Sequence, residues 1–207
     1  MTLPRPDLLV EAPYAPNPRR VRIFMAEKGI DLPREQVDIM AGEQFLAHAE
    51  RVGTFHVPAL HLDDGSWLTE TVAICRYLEA LHPEPNLMGR DAREAAEIEM
   101  WSRRMEFQLF YPVAQVLRHG NPKMAVMEDQ VPQWAEANRT RVQSGLELLE
   151  HALSRDGYVA AGRYTIADIT AFVAVEFMRT IRQELPEAHD ATHVWRGLIR
   201  ARPSSVP

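Results

Sequence analysis

The fold is decided by residues 57–79: Val57-Pro58-Ala59-Leu60-His61-Leu62, Asp63-Asp64-Gly65-Ser66, Trp67-Leu68-Thr69-Glu70-Thr71, then Val72-Ala73-Ile74-Cys75-Arg76-Tyr77-Leu78-Glu79. The first run is apolar and short, the length of a strand. Asp63–Ser66 is a tight turn, and Trp67-Leu68 starts the returning strand. Ile74, Leu78 and Leu81 then fall at helical spacing. The stretch therefore reads as a hairpin running directly into an amphipathic helix. Pro58 heads the first strand, where its missing N–H is tolerated only if the ladder does not need it. A cis Val57–Pro58 bond would turn the preceding backbone outward and leave its N–H and C=O for a peptide-like ligand. Thr69-Glu70-Thr71 presents a helix N-terminus, whose partial positive charge favours an anion.

Working outward toward the N-terminus, Leu8-Leu9-Val10 reads as a buried strand. The prolines of Ala12-Pro13-Tyr14-Ala15-Pro16-Asn17-Pro18 make the next segment a loop. Asn17 followed by Pro18 reads as an N-cap and first helical position. Val21, Phe24 and Met25 supply the apolar face of that helix, and Gly29 its stop. Gln36-Val37-Asp38-Ile39 alternates as a second strand, completing a βαβ shape.

In the other direction Pro83, Pro85 and Gly89 break the chain, and residues 83–90 read as a linker. Everything beyond it reads as helix. Ile98, Trp101, Met105 and Leu109 form one stripe, with Pro112 expected to kink or end that helix. Asn121-Pro122 is a turn. Val142, Leu146, Leu149 and Leu153 form a buried face that ends at Asp156-Gly157. Thr165-Ile166-Ala167-Asp168 reads as a capping box with Asp in place of the usual Glu. It opens a helix marked by Ile166, Ile169, Val173 and Phe177. Val194, Leu198 and Ile199 mark a short last helix, followed by an end expected to fray. The expected organisation is an α/β domain over residues 1–82, a linker over 83–90 and an all-α domain over 91–207.

Composition narrows the function. The 207 residues carry a formal net charge of -6, a poor balance for a general binder of nucleic acid phosphates. No apolar run approaches the roughly 20 residues that span a bilayer, and the N-terminus lacks a signal-peptide apolar region. The single cysteine, Cys75, reads as a buried core thiol and suits a reducing compartment, so a cytoplasmic location is expected. None of the eight His has HExxH-like spacing, so no metal is expected. There is no P-loop and no GxGxxG. Arg19-Arg20-Val21-Arg22 and Arg103-Arg104 read either as solvated helix faces or as recruiters of a small anion.

The residues 57–60 and 68–79 resemble the glutathione-binding core of the glutathione transferase superfamily. Pro16-Asn17-Pro18-Arg19-Arg20-Val21-Arg22-Ile23 and Ala26-Glu27-Lys28-Gly29-Ile30 are similar to that family's first loop and helix. Tyr164-Thr165-Ile166-Ala167-Asp168 resembles the folding motif of its helical domain. The resemblance covers nearly the whole chain. It implies a thioredoxin-like α/β N-terminal domain plus an all-α C-terminal domain, the glutathione transferase fold, and usually a homodimer. It also implies that Val57 holds the cysteinyl part of glutathione through its main chain, with Pro58 cis. Glu70 and Thr71 are then assigned to the γ-glutamyl end, with Thr71 where the family usually has Ser. Gln44 and His56 match positions that contact the glycyl end.

The catalytic position departs from the common patterns. The register of the serine-type members gives Ala15, no cysteine lies in the loop, and tyrosine-type members place their Tyr earlier than Tyr14. Ala15-Pro16-Asn17 resembles the Thr-Pro-Asn of some bacterial members without the Thr. Asn17 is a candidate N–H donor to the glutathione sulfur, which would lower the thiol pKa; its other reading is a helix cap. Tyr14 is the second candidate, as phenol donor or pocket wall. Val52-Gly53-Thr54-Phe55-His56 stands where the family has Asn-Pro-x-Gly. Arg104 and Tyr111 are candidates for the second-substrate pocket. The implied activity is a detoxification-type transferase in which the glutathione thiolate attacks a small hydrophobic electrophile. A glutathione-dependent disulfide or peroxide reductase is an alternative. A binding or regulatory protein without the chemistry is another, and Ala15 is the feature favouring it.

Overall fold

A computed structural model describes residues 3–40 and 43–206, the side chains of residues 43–45 excepted. The chain forms two compact units, one ending at Pro85 and one running from Asn86 to Val206.

The first unit is built in the order β1 (Pro6–Glu11), α1 (Pro16–Glu27), β2 (Arg34–Gln36), α2 (Glu43–Val52), β3 (Ala59–Leu62), β4 (Trp67–Thr69) and α3 (Thr71–Leu81). The strands form one mixed sheet in the order β2-β1-β3-β4. β1 runs parallel to β2 and antiparallel to β3, and β3 runs antiparallel to β4. Leu9, Val10 and Leu60 of the sheet are wholly buried, together with Val21 and Phe24 of α1 and Ile74 and Leu78 of α3. These are the apolar positions marked by the period-2 and period-3.6 patterns. α1 and α3 pack against each other.

β2 lies earlier than the alternation of Gln36–Ile39 suggests. Its partner β1 ends at Glu11, so the ladder closes at the pair Glu11–Gln36. Val37 donates one last bond to the Glu11 carbonyl, after which Asp38 accepts from the Met40 N–H and turns the chain. α2 has no counterpart in the apolar pattern: among the described side chains of the helix, Leu46 is exposed and the buried one is His48. At the exit of the unit, buried Lys28 pairs with Glu79 at 2.6 Å and donates to the carbonyls of His82 and Pro85 at 2.7 and 2.8 Å.

The second unit is helical: α4 (Ala92–Met105), α5 (Tyr111–Gly120), α6 (Pro132–Asp156), α7 (Ile166–Phe177) and α8 (Asp190–Arg200). α4 and α5 are joined by a π-helical turn, Glu106–Phe110, so the α register breaks ahead of Pro112 rather than at it. α6 buries Val142, Leu146, Leu149 and Leu153 and stops at Gly157 in the left-handed region. α7 is buried from Ile166 through Val175 and carries the capping box of Thr165 and Asp168. Asp168 also accepts from the Val159 N–H and from Trp195 Nε1, which ties α8 to the start of α7. α8 corrects the sequence reading. Its buried residues are Thr192, Trp195 and Ile199, while Val194 and Leu198 face solvent. Its orientation is set by polar partners: Glu150 of α6 accepts from the N–H groups of Ala191 and Thr192 and from the Thr192 hydroxyl. The expected fraying is also corrected up to Ser205, since a 3-10 turn, Pro203–Ser205, is held by Ser205 Oγ donating to the carbonyls of Arg200 and Arg202.

Candidate functional site

The strand registers bring three separate segments to one end of the sheet. Val10 lies opposite Ala59, and Ala59 opposite Thr69. Past this row β1 runs out into the Ala12–Ala15 loop and α1. Val57-Pro58 leads into β3 from the same end, and β4 passes there into Glu70-Thr71 and α3. Antiparallel pairing therefore sets Val57-Pro58 beside Glu70-Thr71, and the N-termini of α1 and α3 open at the same edge.

Each segment is shaped by its own residues. Val57–Pro58 is cis, and the ladder begins only at Ala59, so the main chain of Val57 is not used by the sheet. Glu70 adopts φ 68°, rare for a non-glycine residue, and sits exposed at the N-cap of α3 with no side-chain cap bond. Thr71 follows, buried, at the first position of the helix. Glu70 thus directly precedes the first N–H groups of α3, a combination suited to a ligand with both an ammonium and a carboxylate.

The β1–α1 loop is fixed by a pair that the sequence reading missed. Glu11, 2% exposed, binds Arg22 at 2.6 Å, and Arg22 also donates to the Pro13 carbonyl. The arginine cluster at positions 19–22 is consequently no solvated face: Arg20 is 1% exposed. Signal for this did exist, because an acidic residue ending an otherwise apolar strand needs a cation when buried.

Asn17 is not the cap of α1. The N-cap is Ala15, which makes no side-chain cap bond, and Asn17 is the second helical residue between Pro16 and Pro18. Its Oδ1 accepts from Arg20 at 3.3 Å. Tyr14 is 99% exposed and has no polar partner among the described residues, so its phenol is not held in the loop. His56 is exposed; its ring meets Thr54 Oγ1 at 3.2 Å, and its carbonyl meets buried His48 Nε2 at 3.0 Å. Gln44 lies in α2, and its side chain is outside the described residues. Burial pushes the Cys75 thiol up to about 12, against a smaller downward pull from Arg20, so Cys75 is a core residue and no nucleophile.

Of the two second-substrate candidates, Arg104 lines a cavity and Tyr111 does not line the same one. Arg104 stacks over Trp101, its guanidinium 4.8 Å from the ring centroid. It lines a cavity of 220 Å³ within the helical unit, with Trp101, Met100 and Arg155 among the other walls. Tyr111 is exposed, six residues beyond the end of α4, and does not line that cavity. Among the described residues no cluster of three metal-ligating side chains occurs, and no helix is long and apolar enough to cross a membrane.

Comparison with known proteins agrees with this fold. The glutathione S-transferase N-terminal domain profile matches residues 14–81, and the C-terminal domain profile matches residues 132–200. The chain is 31% identical over 205 residues to glutathione S-transferase 2 of Saccharomyces cerevisiae, covering 95% of this chain and 87% of that protein. The crystal structure of Gtt2 from Saccharomyces cerevisiae superposes with a TM-score of 0.90 at 28% identity, covering 96% of this chain and 98% of that one. That of a glutathione S-transferase domain-containing protein from Marinobacter aquaeolei gives 0.89 at 31% identity, covering 96% and 99%. The chain belongs to the glutathione S-transferase family. Its two units are the family's thioredoxin-like α/β domain and its all-helical domain.

Proposed function

We propose that the protein is a glutathione transferase that binds reduced glutathione at the sheet edge and directs its thiolate at a small hydrophobic electrophile. The observation that carries this reading is the convergence of cis Val57–Pro58, Glu70 and Thr71 at one end of the sheet. The free main chain of Val57 suits the cysteinyl peptide unit, and Glu70 beside the α3 N-terminus suits the ammonium and carboxylate of the γ-glutamyl end. Asn17 is the thiol donor in this reading. Donation of an N–H to sulfur favours the thiolate and leaves a nucleophile at neutral pH. His56, exposed near the same strand, and Gln44 are the proposed glycyl contacts.

A second reading, a glutathione-binding protein without transfer chemistry, is supported by Ala15, which places no hydroxyl at the start of α1. Calorimetric titration with reduced glutathione, followed by thiolate absorbance of the complex across pH, separates the two. A transferase binds glutathione with a thiol pKa well below that of the free peptide; a pure binder leaves it unshifted. In the transferase, Asn17→Ala should lower turnover about 10- to 100-fold, the range for one hydrogen bond to a charged group, while glutathione affinity changes much less. Equal loss of both would reassign Asn17 to binding.

A further inference from the structure

We propose that Arg20 is a positioning residue for Asn17: buried behind it in α1, it fixes which side of the Asn17 carboxamide faces the ligand. The proposal rests on the reading of Asn17 as the thiol donor.

Two features of the helix start make the orientation of this one side chain matter. The first turn of α1 contains Pro16 and Pro18, neither of which has an N–H. Arg19 N–H is turned back onto the Ala15 carbonyl at 3.4 Å. The main chain is thus left with the Asn17 N–H alone, where an ordinary helix offers several. The anion-favouring helix start read from the sequence is therefore weak in donors, and the Asn17 side chain has to supply the rest.

A carboxamide has two faces of nearly equal shape, one accepting and one donating. A guanidinium has five N–H donors and no acceptor. Arg20 is 1% exposed and sits three residues on, so it meets Asn17 on the same helix face, with Nη1 donating to Oδ1 at 3.3 Å. The flipped carboxamide would set N–H against N–H inside the protein. Arg20 therefore selects the oxygen-in orientation, which turns the Nδ2 donors away from the buried guanidinium. Donation into Oδ1 also polarises the amide and strengthens its N–H groups.

Two neighbouring cations make ion pairs of their own, Arg22 with Glu11 and Lys28 with Glu79, each at 2.6 Å. Glu70 is of the wrong sign to favour a thiolate.

The test uses the full chain with reduced glutathione, reading affinity by calorimetry and bound-thiol pKa by thiolate absorbance in Asn17→Ala, Arg20→Met, Arg20→Lys and the Asn17→Ala/Arg20→Met double variant. Arg20→Met should raise the bound-thiol pKa by about half a unit to one unit, with glutathione affinity within about 3-fold of the parent. Arg20→Lys keeps a donor-only cation and should stay near the parent value. The double variant should be no worse than Asn17→Ala, since both remove one device. Arg20→Gln, neutral and able to accept as well as donate, replaces Arg20→Met if the latter does not fold, with the same expectation. An unshifted pKa in folded Arg20→Met or Arg20→Gln overturns the proposal, as does an equal further rise in the Asn17→Ala background. If Asn17→Ala itself binds glutathione with an unshifted pKa, the thiol-donor reading fails and this one with it; a shift in Asn17→Ala alone sinks only the role of Arg20.

Discussion

Glu70 shows how one residue joins local geometry to function. Its φ of 68° costs a non-glycine residue about 1 kcal/mol, and nothing within the helix it caps needs its carboxylate. A residue kept in an unfavourable conformation without a structural partner points to a ligand. Glu70→Gly should therefore leave the midpoint of chemical denaturation unchanged or slightly higher, while weakening glutathione binding about 10-fold or more by loss of a charge-assisted bond. A fall in both would mean that Glu70 holds the fold instead. That Val57, Pro58, Glu70 and Thr71 share one edge was legible because they lie in one unbroken hairpin-to-helix stretch; their assignment to glutathione came from the family resemblance. The other half of the site was less so. Asn17 reads as a cap because Asn before Pro is a common helix start, yet Pro16 already begins the helix and moves the cap to Ala15. Tyr14 draws notice as a phenol in the right loop, but pattern carries no information on exposure, and it stands in solvent.

At the scale of elements, periodicity located what buries a stripe and missed what polar contacts hold. α3, α6 and α7 follow their apolar spacing. α2 and the face of α8 do not, since His48, Thr192 and Trp195 are buried through hydrogen bonds to distant residues. The π turn between α4 and α5 is a similar case. Pro112 cannot donate to the carbonyl of Gln108 four residues earlier, and a closely packed backbone meets that carbonyl instead. A Cβ on Gly145 of α6 would lie 2.2 Å from Gln108 O and 3.2 Å from Leu109 Cα. α6 can thus approach the turn only with glycine at 145. Gly145→Ala gains helix propensity in α6, yet should destabilise the protein by about 1–3 kcal/mol through overpacking against backbone that cannot move aside. Urea denaturation followed by far-UV circular dichroism checks this. A stabilised variant would show that the two segments separate easily.

For the molecule as a whole, two carboxylates in the first turns of α4 and α7 give the acid limb of stability opposing slopes. Glu94 is held by Arg163 at 2.8 Å and by the Arg90 N–H at 2.6 Å, which lowers its pKa from 4.5 to about 2. Its contribution is present above pH 4.5 and is lost as the pH falls through 2. Asp168 behaves oppositely. Burial raises its pKa from 3.8 to about 6, despite bonds from Val159, Trp195 and Thr165 that pull it down. Relative to the unfolded chain, its contribution is complete below pH 3.8 and diminishes as the pH rises through 6. At neutral pH it is ionised, and its two oxygens accept from four donors: the N–H groups of Val159 and Thr165, the Thr165 hydroxyl and the Trp195 indole. Asp168→Asn puts an NH₂ against two of those donors. At pH 7 it should cost about 2–4 kcal/mol from buried groups left unpaired, and Trp195 emission should shift as the α8 contact loosens. Between pH 4 and 6 the parent should gain less stability with rising pH than the variant does, because only the parent carries the negative term of Asp168. Denaturation midpoints measured at several pH values across that window decide it. Parallel curves for the two proteins would mean that the carboxylate titrates near its ordinary value, and that the four donors outweigh burial.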